Sequence, residues 1–215
     1  MNPTNAMDEK VIRGEIAPLD GDPTRRLELA YRQCSEIARK QARNFYYSFL
    51  VLPRSQRRAM CALYAFMRLT DDLGDNDAPR DARREWLAHW RQTLDRVLNG
   101  EETDGLWWPA LADTVNTHRI PREFLHAVID GVESDLDVCR YQTFTDLYQY
   151  CYQVASVVGL SCVRIWGTTR RRDSRQIVRY RVSVDERPSG HRGRLSRGRI
   201  YLPADDQRIR LARRF

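Results

Sequence analysis

An all-α fold is the expectation for this chain, and three observations predict it. Apolar residues recur at intervals of three and four from residue 24 to residue 167, and nothing in that span reads as an alternating strand. Pro53, Gly100 and Pro121 fall where such periodic stretches break, as helix boundaries should. A hydrophobic share of 42% with five tryptophans in 215 residues is enough to build one sizeable core, and one domain is the default.

Taken in order, residues 1–23 contain acids and prolines but no apolar h-region, so they read as a mobile leader, neither a signal nor a transit peptide. "TRRLELAYRQCSEIARKQAR" (24–43) has the helical period, and "NFYYSFLVLP" carries a short apolar run into Pro53. Ser55 is placed to cap the next helix, which runs to about Asp75. "DAPRDARREWLAHWRQTLDRVLNG" holds an amphipathic helix closed by Gly100, and Pro121 suits the first turn of the one that follows. "TFTDLYQYCYQVASVVGLSCVRIWG" reads as one long, largely buried helix. Its longest apolar stretch, "VASVVGLSCV", is too short to span a bilayer. After Gly167 the period is lost, and Arg, Ser and Gly replace helix formers. The organisation is therefore a leader (1–23), a helical core (24–167) and an irregular basic tail (168–215).

The net charge of +7 misleads, because residues 170–215 hold 15 arginines against 5 acids while the other 169 residues are slightly acidic. Such a tail suits a nucleic-acid or anionic-surface arm, and a helical module binding acidic partners through it is the rival reading. Cys34, Cys61, Cys139, Cys151 and Cys162 are odd in number, with no C-x-x-C pair, and read as reduced core residues of a cytoplasmic protein. Four scattered histidines give no zinc-like ligand set.

The chemistry concentrates in "RLTDDLGD" (68–75), which follows the apolar run "MCALYAFM". On a helix Tyr64, Arg68, Asp71 and Asp75 form one stripe, with Asp72 about 100° away. Like charges beside core residues cost stability unless a cation binds. Carboxylates are hard ligands that suit Mg²⁺ completed by waters and substrate phosphates. A solvated helix end would carry the same residues, so the motif alone does not decide.

Four motifs in order decide it. "NFYYSFLVLP", "ALYAFMRLTDDLGD", "DGVESDLDVCRYQTFTDLYQYCYQVASVVGL" and "GRIYLP" together resemble the squalene/phytoene synthases, the trans-isoprenyl diphosphate head-to-head synthases. The resemblance covers about residues 35–167, with a further patch at "RGRIYLPADD". It implies an isoprenoid-synthase-like helical bundle, here C-terminally incomplete. It implies that Asp71, Asp72 and Asp75 hold Mg²⁺, or Mn²⁺ in its place, against a prenyl diphosphate that Tyr64 and Arg68 contact. Phe45 and Phe49 match aromatics of the prenyl channel, and Asp135, Tyr150, Val154, Val158 and Gly159 match the central helices bordering the cavity. Plain core packing explains a Phe or Val at such spacing equally well, so those roles rest on the resemblance. Arg199 and Tyr201 match the segment after the family's second aspartate motif. The implied reaction joins two farnesyl or two geranylgeranyl diphosphates. NADPH is needed only for a squalene product, peripheral membrane contact would help an apolar product leave, and no nucleic acid is involved.

One part of the pattern is missing. The family places N-x-x-x-D-x-x-x-D just before "GRIYLP", where this chain has "VSVDERPSGHRGRLSR". Yet Arg179–Ser196 has legal codons whose reading one nucleotide later is "GIAFQLTNVLRDIVEDF", which contains that motif at the required spacing. "DQRIRLARRF" likewise rereads as "TSAFGLHDDL". The expectation is that residues 168–215 are frame-shifted and that the chain as it stands is catalytically impaired.

Overall fold

The computed structural model describes residues 22–137 and 141–167. The leader through residue 21, Cys139 and the segment 168–215 with Arg199 and Tyr201 lie outside the described residues. Among those described there are eight α-helices, one π-helical turn and no strand, as the apolar spacing predicts.

Helix α1 (Pro23–Gln41) starts where the Asp22 carboxylate accepts a hydrogen bond from the Thr24 amide at 2.9 Å, with Pro23 supplying a preset φ. It buries Ala30, Tyr31, Cys34, Ile37 and Ala38, spaced by threes and fours. Helix α2 (Arg43–Phe49) is short and leads into α3 (Arg54–Gly74). Ser55 does not cap α3: Pro53, in an extended conformation at φ −51° and ψ 149°, sets the entry, and its carbonyl accepts the Arg57 amide at 2.9 Å. Proline's fixed φ makes the chain turn into the helix two residues before the serine. Helices α4 (Arg80–Leu98) and α5 (Trp108–His118) follow, α5 ending at Arg119 in the left-handed conformation, and then α6 (Arg122–Ser134).

The expected long, buried helix near the end is corrected on two counts. It is α7 (Phe144–Cys151), a π-helical turn (Tyr152–Ser156) and α8 (Val157–Trp166), and it leaves Phe144, Tyr148 and Trp166 exposed. Thr143 and Asp146 close a reciprocal capping box at its start, each side chain accepting the other's amide at 3.2 Å.

The described residues fall into two compact units, one of 22–122 with 164–167 and one of 123–137 with 141–163. In the first, α3 packs against α1, α4 and α5. Its centre is aromatic: Trp90 lies 4.7 Å from Trp108 and 5.5 Å from Trp107 between ring centroids, and stacks on Phe66. Gly105, at φ 113°, lets this cluster close, because a Cβ there would sit 2.8 Å from the Trp108 ring. The Trp90 indole N–H donates to the Thr70 hydroxyl at 2.9 Å, and that hydroxyl donates to the Phe66 carbonyl at 2.8 Å. Both side chains are buried. Thr70→Val keeps the shape but strands the indole donor, so chemical denaturation should show a loss of about 1–3 kcal/mol.

In the second unit, α6 meets the π-helical turn at Gly131. A Cβ there would lie 2.5 Å from Val154 Cγ1 and 3.2 Å from Gln153 Cβ. Gly131→Ala should therefore cost about 1–3 kcal/mol through overpacking, despite alanine's better helix propensity, and lower the thermal midpoint by several degrees.

Candidate active site

The C-terminal half of α3 carries Tyr64, Arg68, Asp71 and Asp72, with Asp75 as its C-cap. A helix of this register puts residues four apart side by side, and the Arg68 guanidinium meets the Asp72 carboxylate at 2.6 Å. Sequence spacing places Arg68 on one stripe with Asp71 and Asp75, and its ion pair is with Asp72, the neighbour one turn along. Asp71 and Asp75 are exposed, and the Asp75 amide donates to the Asp71 carbonyl at 2.8 Å. Tyr64 is half-buried, and burial pushes its hydroxyl above the ordinary tyrosine value. Arg68 pulls the other way, while the Asp72 and Asp71 charges add to the rise. These four side chains thus share one electrostatic neighbourhood.

Among the described residues no three His, Cys, Asp or Glu side chains converge as a metal-holding group. Two exposed carboxylates one turn apart nevertheless fit Mg²⁺, which usually takes one or two carboxylates and fills its shell from waters and phosphate oxygens. The donor set suits an ion that arrives with a diphosphate rather than a resident one.

The remaining expected site residues are placed separately. Phe49 is buried at the end of α2, and Phe45 belongs to the same helix, its side chain lying outside those described. Asp135, Tyr150, Val154, Val158 and Gly159 belong to the second unit. There the buried Tyr150 hydroxyl donates to the half-buried Asp135 carboxylate at 3.1 Å, while Asp137 is exposed. Val154 and Val158 are half-buried. Gly159 is exposed, and a Cβ on it would meet nothing within 4 Å, so close packing does not explain it.

Two features escaped the sequence. Tyr31 donates to Asp113 at 2.6 Å and lies 3.1 Å from the Thr114 hydroxyl, burial first and then Asp113 pushing its acidity well down. Its ring also supports the Arg58 guanidinium at 4.0 Å. These partners are far apart in sequence, and no spacing signals them. The second feature is a cavity of about 400 Å³ formed by α1, α2 and α3, whose lining does not include the aspartate stripe.

The Squalene/phytoene synthase family model matches residues 38–210. A chloroplastic phytoene synthase of Daucus carota is 34% identical over 193 residues, covering 85% of this chain and 48% of that protein. A 15-cis-phytoene synthase of Synechococcus elongatus is 32% identical over 196 residues, covering 84% and 63%. This chain spans about half the length of the first of these relatives. Among solved structures, a squalene synthase from Alicyclobacillus acidocaldarius aligns at TM-score 0.69 and 29% identity over 85% of this chain and 68% of that one. A dehydrosqualene synthase in complex with ligand aligns at 0.59 and 28% over 67% and 50%. With the all-helical fold and the aspartate stripe on α3, the match over most of its length means that the chain belongs to the squalene/phytoene synthase family.

Proposed function

We propose that the aspartate stripe of α3 is the diphosphate-ionising half of a prenyltransferase site that joins two prenyl diphosphates head to head, giving a phytoene- or squalene-type product. The observation that carries this reading is the shared neighbourhood of Tyr64, Arg68, Asp71 and Asp72, inside a stretch that the family model matches. Asp71 and Asp75 would hold Mg²⁺ at the diphosphate, with Mn²⁺ as a substitute. When bound, the ion neutralises the leaving group's charge. Arg68 binds the diphosphate oxygens, and its pairing with Asp72 keeps the guanidinium at the stripe. Tyr64, half-buried one turn before Arg68, keeps its proton as tyrosines do at neutral pH and serves as a hydrogen-bond donor. Phe45 and Phe49 of the first unit are assigned to the apolar lining that keeps water from the prenyl chain, and Asp135, Tyr150, Val154, Val158 and Gly159 of the second are assigned, by the same resemblance, to substrate binding. Arg199 and Tyr201 are assigned to the diphosphate side.

NADPH enters only if the product is squalene. No described helix is long and apolar enough to cross a membrane, and release of an apolar product favours peripheral contact with one. The chain as it stands is proposed to be impaired, because the second carboxylate motif is absent from its sequence. The deciding experiment supplies farnesyl or geranylgeranyl diphosphate with Mg²⁺, with and without NADPH, to a version carrying the restored motif. A C30 or C40 head-to-head product supports the reading, and neither product from either substrate overturns it.

A further inference from the structure

The cavity formed by α1, α2 and α3 stands apart from the aspartate stripe, and its walls are rich in arginine. Arg32 and Arg39 come from α1, and Arg54, Arg57 and Arg58 from α3, with Tyr46 of α2 between them. Two acids also line it, Glu28 and Glu36. Glu28 is taken by Arg58 at 2.8 Å, and Arg58 is held in place over the Tyr31 ring. That leaves Arg32, Arg39 and Arg54, which are exposed, and the half-buried Arg57 lining the cavity with the single exposed carboxylate of Glu36.

Four guanidinium groups around one concave wall repel one another, and the low-dielectric protein behind them focuses their field into the cavity. An anion with several oxygens relieves that repulsion, and guanidinium forks match phosphate geometry in pairs. The volume of about 400 Å³ is within the range of small-molecule sites. We propose that this cavity is a binding site for a phosphate-bearing anion, held by Arg32, Arg39, Arg54 and Arg57 without a metal ion. The aspartate stripe requires a cation before it can take a phosphate, whereas this site does not.

The phosphate has two possible sources. It is a soluble phosphate ester or diphosphate, or it is the headgroup of an anionic phospholipid. The second source is raised by the neighbouring side chains: Tyr47, Leu50 and Val51 are 69%, 44% and 86% exposed. Tyr47 adjoins the lining residue Tyr46 edge to face at 6.4 Å, and Arg54 follows Val51 by three residues. Apolar tips flanked by arginines are the composition of interfacial segments.

The test titrates the full chain with inorganic diphosphate in the presence of EDTA, by calorimetry, and measures co-sedimentation with vesicles of anionic or zwitterionic phospholipid. Two double variants, Arg54→Gln with Arg57→Gln and Arg32→Gln with Arg39→Gln, each remove like charges from one wall, and Asp71→Asn reports on the stripe. Saturable diphosphate binding that weakens at least about tenfold in both double variants and is unchanged in Asp71→Asn establishes a soluble ligand. Preferential binding to anionic vesicles, reduced as strongly in both double variants and in Val51→Asp, establishes the headgroup. Binding that both double variants leave intact belongs to the arginine-rich segment 170–215 and overturns the proposal, as does binding lost in Asp71→Asn or no binding in either arm.

Discussion

A version of the chain in which the eighteen residues 179–196 are replaced by the seventeen of GIAFQLTNVLRDIVEDF, and 206–215 by TSAFGLHDDL, should form prenyl product at least about 10³-fold faster than the chain as it stands. The reasoning is electrostatic. An allylic diphosphate leaves as an anion, and its charge has to be met from both sides of the cavity to lower the barrier. In the proposed reading, the stripe on α3 supplies one side. On the other, the sequence as it stands offers only Asp185 and Glu186, which are adjacent and cannot act as carboxylates four residues apart on one helical face. Half of a metal-binding set is worth several kcal/mol of transition-state stabilisation, hence the factor of about 10³. The measurement is Mg²⁺-dependent product formation from labelled substrate by both versions. Equal turnover, or a gene whose nucleotides cannot encode the restored peptide in any frame, removes the basis for the proposed frame change.

In that restored version, replacing both Asp71 and Asp75 with Asn should lower kcat by about 10³-fold or more, with the circular dichroism spectrum unchanged. Both side chains are exposed at the end of α3, so their loss opens no cavity, and what disappears is carboxylate charge at the diphosphate. Asp72→Asn provides the contrast. Asp72 is tied to Arg68 at 2.6 Å, and the pair is over a third exposed on both sides, so its contribution to stability is at most about 1 kcal/mol. Its loss should lower activity by roughly tenfold through a less well-held guanidinium. If Asp72→Asn is as damaging as the double variant, Asp72 rather than Asp71 or Asp75 is the main ligand.

The fold was readable where one periodic signal dominates. Helices α1 and α3 bury residues at the spacing that their sequence displays, so the two register readings, apolar stripe and acidic stripe, follow directly. The π-helical turn was not readable, because "YQVAS" has side chains that suit either turn width, and the close approach of Val154 to Gly131 is a tertiary contact that no local pattern signals. Ser55 misled because a serine near a proline is a plausible cap, and proline's own φ had already set the entry. In the candidate site, the Arg68–Asp72 pair has the i,i+4 spacing of helix neighbours and so lies in the sequence pattern. The arginine-lined cavity was not, since its walls come from three helices and no local pattern brings Arg32 towards Arg54.

The end of α3 has a consequence for the helix itself. Aligned peptide dipoles leave a partial negative charge at a helix C-terminus, where basic side chains are favourable and acids are not. α3 has no basic residue in its last turn, and Asp71, Asp72 and the C-cap Asp75 all sit there. Each such acid costs about 0.3–1 kcal/mol by opposing the dipole. The Arg83 guanidinium of α4 donates to the Gly74 carbonyl at 2.8 Å and meets part of that field, and any cation seated among these carboxylates adds to it. Order in the last turn of α3 and occupancy of the stripe are then two readings of one equilibrium, so a ligand that fills the stripe also lengthens the life of the helix that presents it.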